Sequence, residues 1–123
     1  MLIPSSYVGT VVSERLADLG FVQPEGDGIL LSAVNVRAGA AHAATPSDHW
    51  RMQFGTTLAG KFKSFDEIHF PKGVAATGQR VIFARQHSVA RGALLTMKLA
   101  MIGQPEPLED LFVTLEYVSM GSK

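Results

Sequence analysis

The sequence predicts a mainly β protein: an antiparallel sandwich or barrel of about six or seven strands with one N-terminal helix. Two observations support this fold class. Several short segments alternate apolar and polar residues with the period of a half-buried strand, and turns rich in Gly and Pro separate them. The 123 residues fit one domain, expected to span 1–123. The alternative is an α+β sheet packed on the helix.

The N-terminal helix is predicted over residues 6–19, because apolar residues recur there at three- and four-residue spacing. Ser5 or Ser6 can cap the start of this helix, and Gly20 stands where it would end. Gly9 and several β-branched residues oppose a helix, so its first turn could instead be a strand over residues 7–12. The apolar stripe consists of Val8, Val11, Val12, Leu16 and Leu19.

Two strands are predicted in the middle of the chain. The first covers residues 29–36, and because both of its faces are mostly apolar, we expect it to be central in a sheet. The second covers residues 49–54, where Trp50, Met52 and Phe54 alternate with polar residues and should face the core. Residues 37–48 between them read as a long loop. Residues 64–67 match a capping box, which predicts one helical turn there.

The C-terminal half predicts three strands over residues 79–87, 93–102 and 111–118, separated by turn residues. Because consecutive strands with short connections usually pair, we expect an antiparallel meander. The last two strands each have one apolar face, made by Leu95, Met97, Leu99 and Met101 and by Leu111, Val113, Leu115 and Tyr117.

Composition argues against several classes of function. The chain has no cysteine, which excludes disulfides and thiolate metal sites. Eleven basic residues balance eleven acidic ones, so we expect no nucleic-acid partner. No apolar run approaches the ~20 residues of a membrane-spanning helix. The first residues lack the features of a signal peptide, so the expected location is the cytoplasm or the inside of an assembled particle.

The chemistry-bearing residues form no recognisable motif, so we predict no catalytic residue, no metal and no cofactor. The four histidines lack the spacing of a metal site. The run Ser47-Asp48-His49 holds the letters of a hydrolase triad, but adjacent residues cannot form its relay and favour a turn instead. The adjacent carboxylates Asp66 and Glu67 are expected to be solvated, because general acid–base catalysis would require their burial.

The low charge content points to self-association. Charged residues make up 18% of the chain, against about 25% in typical proteins, and a surface with no net charge does not repel its own copies. We therefore expect a non-enzymatic structural or assembly subunit, a homo-oligomer or part of a larger complex. Decoration or tail proteins of phage-like, virion-like particles are one class of this kind. The candidate interface residues are Arg51, Trp50 and Phe112.

Two alternatives remain open. A hot-dog-type acyl thioesterase or dehydratase would use Asp48 or His49 and would require a helix of at least ten residues buried in the sheet. A small-ligand or peptide-binding module would use a groove between the helix and the sheet; an apolar pocket lined by Met97, Met101 and Phe112 would favour it, and a solid core there would exclude it.

Overall fold

The computed structural model describes residues 6–21, 28–40, 44–71, 73–74, 78–90 and 92–119. These residues form eight strands and no helix, which confirms the mainly β prediction. Accordingly, they include no helical segment with the length and hydropathy of a membrane span. The strands are β1 (Ser6–Val11), β2 (Arg15–Phe21), β3 (Ile29–Arg37), β4 (His49–Leu58), β5 (Lys61–His69), β6 (Gln79–Val89), β7 (Leu94–Ile102) and β8 (Leu108–Ser119).

The strands form two four-stranded antiparallel sheets that pack as a sandwich. The first sheet has the order β1-β8-β3-β6 and the second the order β2-β7-β4-β5. Only the β4–β5 hairpin joins two consecutive strands of one sheet; every other connection between the described strands crosses to the opposite sheet. This order is that of a jelly roll. The predicted C-terminal meander is therefore wrong, since β6, β7 and β8 pair with earlier strands and not with one another.

The predicted N-terminal helix is also wrong, because residues 6–21 form β1 and β2. β1 pairs with β8 and β2 pairs with β7, so tertiary pairing overrides the helical spacing of the valines and leucines. Gly9 has a φ of +93° and Gly20 a φ of +130°, which a helix does not allow. Val8, Val11 and Leu19 of the stripe are buried, whereas Val12 and Leu16 are exposed.

The central predictions are confirmed with one exception. β3 lies between β8 and β6, and Trp50, Met52 and Phe54 of β4 point into the core. The exception is the helical turn over residues 64–67, which lie in β5 and include a bulge opposite Gly55. The predicted turn after residue 45 is present, since Thr45 and Asp48 pair across it. One of the Gly- and Pro-rich segments that predict turns, residues 23–28, lies mostly outside the described residues.

The core lies between the two sheets and is made by the inward residues of both. Leu95, Met97 and Leu99 of β7 face Leu111, Val113 and Leu115 of β8, as the apolar alternation of these strands predicts. Each sheet therefore has one buried face and one outer face. The polar and aromatic side chains of the two outer faces are the ones available to a partner or ligand.

Candidate interaction surface

The three candidate interface residues lie in three different environments. Trp50 is in the core with 0% of its surface exposed, and its indole Nε1 donates a hydrogen bond of 2.7 Å to the carbonyl oxygen of Glu106. This bond satisfies the polar atom of a buried indole and ties β4 to the segment before β8. The structure thus gives Trp50 a packing function, and a function at an interface stays a prediction.

Arg51 lies on the outer face of the second sheet and is partly exposed. Its Nε is 3.7 Å from Oε1 of Glu67 on the neighbouring strand β5, close enough for an ion pair but too long for a hydrogen bond. Gln53 donates a hydrogen bond of 3.2 Å to the same carboxylate oxygen. Arg51 is therefore already engaged by an acidic neighbour in the free chain.

Phe112 lies on the outer face of the first sheet, between Tyr7 of β1 and Arg37 of β3. The Tyr7 and Phe112 rings have centroids 5.1 Å apart, and the Arg37 guanidinium carbon lies 4.6 Å above the Phe112 ring. These contacts are an aromatic pair and a cation–π contact. We call this outer surface the Phe112 face; its residues are Tyr7, Leu30, Asn35, Arg37, Arg80, Ile82, Phe112, Thr114, Glu116 and Val118.

Two ionic groups of the Phe112 face, Arg80 and Glu116, are satisfied by one another. Arg80 binds Glu116 through two hydrogen bonds of 2.6 and 2.8 Å, and Asn35 donates a third of 2.8 Å to the same carboxylate. Bonding to Arg80, with a smaller contribution from Asn35, lowers the pKa of Glu116. At the β1 edge, Tyr7 donates a hydrogen bond of 2.7 Å to Asp110, and this bond raises the pKa of the tyrosine.

Large apolar side chains remain open to solvent on the same face. Tyr7 is 60% exposed, Ile82 is 65% exposed and Val118 is 46% exposed. Ile82 lies on the edge strand β6 and Tyr7 on the opposite edge strand β1, so exposed apolar groups occur at both edges of the sheet. A depression of about 320 Å³ on this face is lined by residues that include Phe112, Arg37 and Arg80. Apolar groups that share one face in this way mark a surface suited to contact with another molecule.

The outer face of the second sheet holds a chain of hydrogen bonds that sequence analysis did not anticipate. Glu67 Oε2 is 2.8 Å from His69 Nε2, His69 Nδ1 is 2.8 Å from His49 Nε2, and His49 Nδ1 is 3.2 Å from the carbonyl oxygen of Thr45. We call this the imidazole chain. His49 and His69 are 20 residues apart in the sequence, and the pairing of β4 with β5 across the hairpin brings them together. The sequence feature that could have indicated this chain is the alternation of Glu67 and His69, which places both on one face of β5.

The direction of the last bond of the imidazole chain follows from chemistry. The carbonyl oxygen of Thr45 can only accept, so Nδ1 of His49 donates to it.

A second histidine–carboxylate pair joins the two sheets. Nε2 of His87 on β6 is 2.8 Å from Oδ2 of Asp66 on β5, and His87 is buried beside the ring of Phe65. Asp66 and Glu67, expected to be solvated, are thus both bonded to histidines. Among the described residues, no three His, Asp or Glu side chains converge to hold a metal ion.

Both alternative functions stay predictions, and the structure places the features named for them. The described residues of the region 37–48, which are 37–40 and 44–48, contain the end of β3 and a turn at 45–48 and no helix. Met97 is buried in the core, while Phe112 lies on the outer face of the opposite sheet, so the two do not line one pocket.

Comparisons with known proteins are limited to a similarity of fold. The sequence matches no protein-family profile. No curated protein matches it either. Among solved structures, the chain is similar to the C-terminal CBM6 of LamC from Zobellia galactanivorans, with 11% sequence identity and a TM-score of 0.46 over 94% of this chain and 90% of that one.

Proposed function

We propose that this protein is a non-enzymatic structural subunit that associates with a second copy of itself through the Phe112 face. The observation that carries the proposal is the exposure of Tyr7, Ile82 and Val118 on one face of one sheet. Burial of these side chains against a partner would contribute about 25 cal/mol for each Å² of apolar surface removed from water. The prediction that the subunit belongs to a larger particle rests on composition alone.

Charge supports a second copy as the partner. The face and its β1 edge hold Arg37 and Arg80 with Asp110 and Glu116, two groups of each sign, and the whole chain has no net charge. In a two-fold dimer the same patch meets itself, so it must carry no net charge of one sign. A patch with balanced charges around apolar groups meets this requirement.

The hydrogen bonding of the carboxylates on the Phe112 face supports a non-enzymatic function. On the Phe112 face, Glu116 is held by Arg80 and Asn35, and Asp110 accepts from Tyr7. Groups that are engaged in this way on an open sheet surface lack the water-excluded environment on which acid–base catalysis depends.

The test is the mass of the protein in solution over a concentration series, measured by sedimentation equilibrium. We expect a dimer at tens of micromolar protein and at least a tenfold weaker dimer for Ile82→Lys, because the lysine places a charge in each copy of the interface. Leu58→Lys is the matched control, since Leu58 is 82% exposed but lies at the tip of the β4–β5 hairpin. A wild-type monomer at high micromolar concentration, or equal effects of the two lysines, would contradict the proposal.

A further inference from the structure

An open cleft lies at one end of the sandwich, and none of the residues of the Phe112 face lines it. Its first wall is the inner side of the β4–β5 hairpin, with Leu58, Lys63 and Phe65. Its second wall is the end of β6 and the start of β7, with Val89, Ala90 and Ala93. The cleft has a volume of about 750 Å³, which is within the range of small-molecule sites.

The cleft exists because the hairpin extends past its neighbours. β4 pairs regularly with β7 up to Thr57 and Leu94, so its even-numbered residues continue to point to the core side. Leu58 is the last of them, and no part of the second wall covers it: the side chain is 82% exposed. The small residues Ala90, Gly92 and Ala93 on the second wall leave the space open.

Lys63 gives the cleft its charge. It pairs with Thr56 across the hairpin, and among the described residues it is the one ionisable group that lines the cleft. No carboxylate of the described part of the chain forms an ion pair with it. Among the residues that line the cleft, Lys63 is exposed, Phe65 is half-buried and Val89 is buried, so the cation is on the more open side.

We propose that this cleft binds an unbranched alkyl carboxylate, with the chain between the two walls and the carboxylate at Lys63. Apolar walls of small and aliphatic side chains select an aliphatic body. Lys63 has no ion-pair partner among the carboxylates of the described residues, so it favours an anionic head group that remains partly hydrated. The proposal is independent of association through the Phe112 face.

The test is a titration of the full-length protein with sodium dodecanoate, monitored by calorimetry and by NMR of the methyl groups. We expect saturable binding of one dodecanoate per chain, with shifts at Leu58, Val89 and Ala93. Octanoate should bind more weakly, by up to about fourfold for each methylene removed. Binding that does not saturate, or methyl shifts confined to other regions, would overturn the proposal.

Two variants separate the head group from the chain. Lys63→Gln should weaken dodecanoate at least fivefold and leave dodecanol unchanged, whereas Ala93→Phe should fill the cleft and weaken both. Ile82→Lys, which tests the Phe112 face, should leave dodecanoate binding unchanged. Equal binding of dodecanoate by Lys63→Gln and the wild type would overturn the assigned head-group site. Failure of Ile82→Lys to reduce association would count only against the proposed function.

Discussion

Replacement of Gly55 by alanine tests how closely β4 and β5 approach at the bulge. A Cβ at Gly55 would lie 2.0 Å from the carbonyl oxygen of Lys63 and 2.8 Å from Cα of Ser64. Both contacts are with backbone, which cannot rotate away as a flexible side chain can. We therefore expect Gly55→Ala to be among the most destabilising single-methyl additions in this chain.

The size of the effect follows from the distance. Ordinary contact begins at 3.4 Å, so the Lys63 carbonyl would have to retreat by 3.4 − 2.0 = 1.4 Å. This is more than a quarter of the spacing of about 4.8 Å between strands. Overpacking of this kind costs about 1–3 kcal/mol, and the loss of a neighbouring strand hydrogen bond adds about 1 kcal/mol. We expect the free energy of unfolding to fall by about 3 kcal/mol.

Urea unfolding monitored by Trp50 fluorescence measures this loss. With a slope of about 2 kcal/mol per molar urea, the midpoint should fall by about 1.5 M. Gly60→Ala is the matched control in the same hairpin: its Cβ would meet no atom within 4 Å, and only its φ of +78° opposes the change. That strain costs about 1–2 kcal/mol. A Gly55→Ala midpoint within 0.3 M of the wild type, or above that of Gly60→Ala, would refute the steric argument.

Two further predictions concern polar contacts. Trp50→Phe removes the donor to Glu106 and leaves unfilled core volume, so urea unfolding, followed here by circular dichroism because Trp50 is the one tryptophan of the chain, should show a loss of about 2 kcal/mol; a loss below about 0.5 kcal/mol would show that the bond is unimportant. Since Arg80 lowers the pKa of Glu116 below its ordinary 4.5, the pair stabilises the fold above that pH and loses its effect as the pH falls. Arg80→Met should therefore be less stable than the wild type at about pH 7, and the difference should shrink towards about pH 2.5; a difference that does not change with pH would contradict the linkage.

Local alternation by itself determined that β4, β7 and β8 are strands and which of their faces are buried. Met52 and Phe54 face the core, and Leu111 and Val113 do the same, because period-two patterning needs no knowledge of the partner strand. The outward position of Phe112 follows from the same pattern. The N-terminal segment was misjudged because its valines fit both a helical and an extended spacing, and only pairing with β8 and β7 decided between them.

Tertiary structure alone decided the sheet order, the Phe112 face and the imidazole chain. β1 and β8 stand at opposite ends of the described chain yet bring Tyr7 beside Phe112, and β3 then places Arg37 over the ring. His49 and His69 meet only because β4 and β5 pair in one register. Side-chain direction along a strand is a local property, whereas the choice of partner strand depends on competition among distant segments, which local spacing does not record.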